Sequence, residues 1–355
     1  MDFEWNKYKL TTKMKFDSPI EYLLILPDKE KILITYKSSI NIYNMQTLKE
    51  DGKISLKNIE KIEHLYLLKS GLISICTKYS ILLIELNKDN TYKIYQTIEL
   101  PDPEENKEFV YLIELKNSNL CILTKYKIFI YKLDKNNFYI NDFSLDEDYC
   151  IQYNNEKGEN ISCIELIYPE KNIENKIATY LHNVSSLSFW DLNERKKINN
   201  TKDNYCNSFD CKDIFCLMDK GKYLLCACID ETIEFYSNET CKLIKMLYDV
   251  YWHITVLKLS ENQILSGGDF GTITFYEFDY ENEIFKKEVV GLSMEETKKV
   301  EKRVGVEIPE IFKEKTEKYG HGNAINEIRR FRNTIISSSC YEDNGCSFVC
   351  FWNKE

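Results

Sequence analysis

The sequence predicts an all-β fold, a seven-bladed β-propeller spanning residues 1–355, and three observations carry that reading. An apolar triplet at i, i+3 and i+5 recurs along the chain. It stands at Ile20, Leu23, Ile25, at Ile62, Leu65, Leu67, at Val110, Ile113, Leu115, at Ile161, Ile164, Leu166 and at Ile254, Leu257, Leu259, with shortened copies at Ile214, Leu217 and Ile325, Ile328. In every copy a large residue ends a later apolar or alternating run: Tyr43, Ile84, Tyr131, Trp190, Tyr236, Tyr276 and Trp352. The interval between the two marks is 21 to 23 residues in five copies, and 29 and 27 in the fourth and seventh. Helical repeats would show a 3.6-residue period and strong caps, which these runs lack. Four short strands per unit of about 40 to 45 residues is the propeller pattern.

The elements follow in order. Phe3 to Met14 precedes the first blade and has no partner there. Blade one takes Tyr22 to Pro27, Lys31 to Tyr36, Ile40 to Asn44 and Lys53 to Leu56. Blade two takes Ile62 to Leu67, Leu72 to Thr77, Ile81 to Leu86 and Tyr92 to Leu100. Blade three takes Phe109 to Leu115, Leu120 to Thr124, Lys127 to Leu133 and Phe138 to Phe143. Blade four offers only three clear strands, Ile161 to Ile167, Lys176 to Leu181 and Ser186 to Leu192. Blade five takes Ile214 to Met218, Tyr223 to Cys228, Thr232 to Tyr236 and Leu243 to Leu247. Blade six holds the clearest hairpin, Gln263 to Glu277. Its turn is Asp269-Phe270-Gly271, where Gly reaches positive φ freely and Asp can bond its own backbone. Blade seven ends at Trp352 with no fourth strand, so residues 1–16 are expected to supply it and close the ring. Residues 292–320, between blades six and seven, depart from strand chemistry. Ser293 and Glu296 form a capping box, Pro309 suits a first helical turn and Gly320 a C-terminal stop, so a small helical insertion is expected. It is either an ornament packed on the propeller or a docking element presenting Ile311 and Phe312.

Composition bounds the function. The chain has 355 residues, a net charge of −10 and a pI of about 5.2. Nucleic acid and anionic membranes attract a basic footprint, so neither is an expected partner. No apolar run approaches the length of a membrane span, and the start, Met1-Asp2-Phe3-Glu4-Trp5-Asn6-Lys7, lacks the apolar core of a signal peptide. The thirteen cysteines are scattered singly in apolar runs, as at Cys76, Cys121, Cys163 and Cys226. Reduced, buried thiols in an intracellular and cytoplasmic protein are the expectation.

Four groups of residues resemble the WD-repeat β-propeller family. Gly320-His321 stands just before Ile325. Trp190-Asp191 ends the third strand of blade four, and Trp352-Asn353 comes close to the same pair. Ser266-Gly267-Gly268-Asp269-Phe270-Gly271-Thr272 is near the family's turn consensus. The resemblance implies that His321, Asp269, Trp190, Asp191 and Trp352 are structural, members of hydrogen-bonded tetrads within blades. The motifs are degenerate, so most blades are expected to hold by packing alone. The resemblance also implies a non-catalytic scaffold or adaptor for protein partners.

No catalytic or cofactor motif competes with that reading. Cys206, Cys211 and Cys216 are evenly spaced but form no Cys-x-x-Cys pair. The four histidines lack zincin spacing, and neither a Gly-x-Ser-x-Gly elbow nor a phosphate-binding loop occurs. No cofactor and no metal is expected. The surface clue is acidic. Asp102, Glu104 and Glu105 lie in the link into blade three, and Asp146, Glu147 and Asp148 in the link into blade four. Tyr248, Tyr251 and Trp252 lie in the link into blade six. Such links emerge on one face of a propeller, where acids beside aromatics could accept a basic peptide. Two alternatives stay open. Arg329-Arg330-Phe331-Arg332 faintly resembles the paired arginines of phosphoinositide-binding propellers, and an enzyme could use the central channel.

Overall fold

The computed structural model describes residues 8–36, 38–56, 59, 61–99, 109–124, 127–134, 136–139, 151–152, 161–181, 186–200, 214–227, 232–248, 253–268, 271–280, 284–290, 325–339 and 347–354. They form a seven-bladed β-propeller of four-stranded antiparallel sheets. Strand β1 (Tyr8–Phe16) comes first. Blade one is β2 (Tyr22–Leu26), β3 (Lys31–Tyr36), β4 (Ser39–Asn44) and β5 (Glu50–Ser55). Blade two is β6 (His64–Leu67), β7 (Ile73–Cys76), β8 (Ser80–Leu86) and β9 (Tyr92–Glu99). Blade three is β10 (Phe109–Glu114), β11 (Leu120–Thr124), β12 (Lys127–Tyr131) and β13 (Ile151–Gln152). Blade four is β14 (Ile161–Tyr168), β15 (Ile173–Leu181), β16 (Ser186–Asp191) and β17 (Lys196–Asn200). Blade five is β18 (Phe215–Met218), β19 (Tyr223–Ala227), β20 (Thr232–Ser237) and β21 (Leu243–Tyr248). Blade six is β22 (His253–Lys258), β23 (Gln263–Gly268), β24 (Ile273–Asp279) and β25 (Ile284–Val290). Blade seven is β26 (Ile325–Phe331), β27 (Thr334–Ser339) and β28 (Ser347–Lys354), and its outer strand is β1, paired antiparallel with β28.

The core is divided among the seams. Seven apolar clusters lie between successive blades, one for each seam of the ring. The first strands pack against one another from blade to blade and so line the central channel. Every end mark of the repeat is buried on a third strand, opposite an apolar residue of the second: Tyr43 with Ile32, Ile84 with Ile73, Tyr131 with Leu120, Trp190 with Ile177, Tyr236 with Leu224, Tyr276 with Ile264 and Trp352 with Ile335. At five of these marks the outer strand carries a bulge, with Asp51, Tyr95, Ile198, Ile244 and Thr11 as the extra residues. A bulge twists an edge strand away from regular pairing, which protects the rim from edge-to-edge association.

Polar latches tie the same seams on the side where first strands end. The Lys69 N–H donates to Glu114 Oε2 at 2.6 Å, and its Nζ to the Leu115 carbonyl at 2.6 Å. One seam later the Lys116 N–H donates to Glu165 Oε2 at 2.6 Å. Between blades five and six, Lys258 Nζ donates to the Leu217 carbonyl at 2.5 Å and the Lys220 N–H to Glu261 Oε2 at 2.5 Å. Arg332 meets Glu30 at 2.8 Å between blades seven and one. Buried carboxylates tolerate these positions because a backbone donor satisfies them.

Several boundaries differ from the sequence reading. Blade four has a fourth strand, β17, whose Lys-Lys-Ile-Asn-Asn lacks the alternation that marks a strand. In blade three, the outer strand is β13, and of the expected strand Phe138 to Phe143 only Phe138 and Tyr139 lie among the described residues. Tyr139 makes an isolated bridge to Leu133, while β13 pairs with Lys127 and Ile128. Gln96 of blade two patches this region, donating to the Tyr139 carbonyl and accepting from its N–H. The apolar triplets also slip phase. Ile25 and Leu67 face the preceding blade, but Leu115 and Leu166 face the following one. The register shift in β10 falls between Phe109 and Tyr111, ahead of Leu115, and that in β22 between His253 and Thr255, whereas the shift in β14 falls beyond Leu166. The helical insertion expected at residues 292–320 lies outside the described residues. Seven described cysteines are buried as thiols, outside any disulfide, and burial pushes the Cys76, Cys216 and Cys350 thiols up to about 12.

The two tryptophan blades share one polar pair. Trp190 Nε1 donates to Thr179 Oγ1 at 2.8 Å, and Trp352 Nε1 to Ser337 Oγ at 2.9 Å. The matching second-strand positions are Ile34, Ile75 and Ile122 in blades one to three, where packing alone serves. Trp352→Phe and Ser337→Ala should each cost about 1–2 kcal/mol, the loss of one buried hydrogen bond. The double variant should cost less than their sum, and thermal melts of the three proteins check this.

Candidate functional site

One position per blade recurs at the channel wall, near the start of each first strand. Opposite it lies the second-strand residue three beyond the partner of the end mark. The seven residues are Tyr22, His64, Tyr111, Ser162, Ile214, Thr255 and Glu327, paired with Thr35, Cys76, Leu123, Tyr180, Ala227, Gly267 and Ser338. Four of them run in an unbroken arc across blades seven, one, two and three: a carboxylate, a phenol, an imidazole and a second phenol.

The arc is linked by direct contacts. Glu327, almost wholly buried, accepts from the Leu23 N–H at 2.9 Å and lies 3.5 Å from Arg329 Nη2. Asn326 supports it by donating to the Ile20 carbonyl at 2.9 Å and accepting from Ser338 Oγ at 2.7 Å. The Tyr22 hydroxyl donates to the Glu63 carbonyl of the next blade. The Tyr22 and His64 rings meet edge to face at 5.6 Å, and His64 lies 4.8 Å from Tyr111 and 6.2 Å from Tyr66. Aromatic pairs at such separations contribute beyond their burial.

Acid surrounds this arc. Burial is the largest influence on Tyr22, and the carboxylates of Glu327, Glu63 and Glu21 act in the same direction. Together they hold the phenol protonated far above its ordinary range, a fixed donor. Lys61 Nζ meets Glu63 at 2.9 Å on the outer side. The arrangement can bind a cation at an acidic, aromatic channel mouth. Among the described residues no group of three or more His, Cys, Asp or Glu is placed to hold a metal ion.

The residues singled out from sequence are placed unevenly. Asp102, Glu104, Glu105, Asp146, Glu147, Asp148, Tyr251, Trp252, Asp269, Ile311, Phe312 and His321 lie outside the described residues. Tyr248 ends β21, opposite Thr232, where the link toward blade six leaves. Trp190 and Trp352 are buried in their blades. Asp191 Oδ1 accepts from the N–H groups of Asn193 and Glu194 at 2.9 and 3.0 Å, which shapes the turn into β17. Sequence reasoning passed over Tyr22, His64, Tyr111 and Glu327. Their signal was positional, one residue per blade at a fixed cross-strand register, and the phase slip of the triplets concealed it.

The chain matches no protein-family model, and no curated protein matches it in sequence. Among the described residues no helix is long and apolar enough to cross a membrane.

Proposed function

We propose that this propeller is a non-catalytic scaffold of the WD-repeat type, working inside the cell, and that it takes a basic segment of a protein partner at the channel mouth. The observation that carries the reading is the arc of Glu327, Tyr22, His64 and Tyr111 with Glu21 and Glu63 around it. Carboxylates steer a cationic segment and aromatic faces hold it. In sequence, Asp102, Glu104 and Glu105 stand between β9 and β10, and Tyr251 and Trp252 between β21 and β22, whereas Asp146, Glu147 and Asp148 precede the outer strand β13 rather than the first strand of blade four. The tryptophan pairs with Thr179 and Ser337 agree with the resemblance to the WD-repeat family.

A phosphoinositide site at Arg329-Arg330-Phe331-Arg332 has less support. These residues run along and just beyond β26, where successive side chains project to opposite faces. Arg329 lies beside Glu327, Arg332 pairs with Glu30, and Arg330 Nε donates to the Arg332 carbonyl. Three arginines so arranged do not converge on one headgroup. The enzyme reading has a perturbed group in Tyr22, but that shift keeps the phenol protonated and donating to a backbone carbonyl rather than preparing a base.

Affinity isolation from the native cell tests the proposal with three tagged forms. The wild type should retain a protein partner. The Glu21→Lys, Glu63→Lys double variant should lose it at least tenfold at low salt, because reversed charges repel a basic segment. Asn136→Lys, in a turn at the opposite end of the blades, should retain it. Loss by the Asn136 variant with retention by the mouth variant would overturn the assignment of the face.

A further inference from the structure

We infer that His64 makes the channel mouth a proton-gated cation seat, open when the imidazole is neutral and closed when it is protonated. The inference rests on the proposed function, since it assumes that a cationic side chain is the guest. Three geometric facts carry it. His64 stands in the middle of the arc, between the rings of Tyr22 at 5.6 Å and Tyr111 at 4.8 Å. It is half-buried, so solvent protons reach it. The groups that would hold a guest cation are the same ones that would hold an imidazolium.

Among the described residues those groups come from every element packed around His64. Strand β2 and the residue before it supply Tyr22 and Glu21. The approach to β6 supplies Glu63, paired with Lys61, and β6 itself supplies Tyr66. Strand β7 places Cys76 in register opposite His64, and β10 supplies Tyr111. Beyond β2, one blade further round, β26 holds Glu327 on the Leu23 N–H with Arg329 beside it. A protonated ring would take the two phenol faces and the carboxylate field for itself, and would repel a second cation at the same place. Among these side-chain types, imidazole is the one that ordinarily changes charge between pH 5 and 8.

The size of the effect follows from fractional population. A guest that requires the neutral ring loses affinity in proportion to the neutral fraction, about tenfold where one ring in ten stays neutral. By linkage the guest must also oppose protonation, moving the titration of the His64 ring resonances to lower pH.

The experiment uses the full chain and a fluorescein-labelled octalysine peptide, whose charge is constant across this range. Fluorescence anisotropy at pH 7.5 and 5.5 should show the wild type weakening about tenfold. His64→Gln should bind equally at both pH values, while His253→Gln, altered at the start of β22, should keep the wild-type dependence. Histidine proton resonances, with the His64 signal identified by its loss in the variant, should titrate at lower pH when peptide is present. Binding that does not change with pH in the wild type, or a fall that survives in His64→Gln, overturns the gate and leaves the basic-segment reading standing. Failure of octalysine to bind at either pH overturns that reading and the gate with it.

Discussion

A variant that begins at Phe16 should fail to show the cooperative melt of the full chain, or melt more than ten degrees lower. Strand β1 is the outer strand of blade seven, and its partner lies more than 300 residues away in sequence. Its pairing with β28 runs from Tyr8 opposite Lys354 to Phe16 opposite Ser347. Side chains add to the ladder. Thr11 Oγ1 donates to the Phe351 carbonyl at 3.1 Å, Asn353 Nδ2 donates to Thr11 Oγ1 at 3.0 Å, and Lys13 Nζ sits 4.0 Å from the centre of the Phe348 ring. Tyr8 and Leu10 cover the cluster that contains Trp352 and Ile325, while Met14, just ahead of the retained Phe16, covers the one that contains Phe351 and Ile20. Deletion therefore opens the seams on both sides of blade seven and leaves an eight-residue strand with a bare edge. In a ring, seams stabilise one another, so the loss reaches a substantial part of an ordinary domain's stability of about 5–15 kcal/mol. Circular dichroism melts compare the two proteins. An unchanged midpoint would show that the ring closes without β1.

Much of this architecture was legible in the sequence because each blade must bury one large residue on its third strand. That requirement left Tyr43, Ile84, Tyr131, Trp190, Tyr236, Tyr276 and Trp352 as marks in a chain with few repeated polar motifs. The outer strands were less legible. An outer strand buries little, so Lys196 to Asn200 needs no alternation, and blade three divides the role between a bridge at Tyr139 and a short pair at Ile151 and Gln152. The first strands posed the subtler difficulty. A bulge near the start of β10 moves later residues to the other face. Glu114, and Glu165 in the unbroken register of β14, occupy the place that Ile25 and Leu67 fill in earlier blades, and the apolar triplet hides two buried carboxylates. The same slip hid the arc, whose members are adjacent only across seams.

Gly221→Ala should be among the most damaging single-methyl additions to this chain, costing about 4 kcal/mol or more, a range reached only by a few named mechanisms. Gly221 closes the turn between β18 and β19 with φ +90, and a Cβ there would stand 2.0 Å from the Ile167 carbonyl oxygen and 3.0 Å from the Ile167 carbonyl carbon, in the backbone of blade four. Backbone at a strand end cannot swing aside as a side chain can. The glycine is also held from behind, where its carbonyl accepts from Asn238 Nδ2 at 2.6 Å, so the turn cannot easily retreat. Relief would require parting blades four and five, across a seam that buries Tyr168, Phe189, Phe215 and Tyr236. Two other glycines separate the causes. Gly71 has φ +86, and a Cβ there would meet nothing within 4 Å, so Gly71→Ala should cost only the backbone strain of about 1–2 kcal/mol. A Cβ on Gly267 would stand 2.7 Å from Ile325 Cγ2, a side-chain atom that can shift, so Gly267→Ala should fall between the two. Chemical denaturation of the three variants tests the order. Equal costs for Gly221→Ala and Gly71→Ala would mean that the blade seam yields freely and that only local strain is being measured.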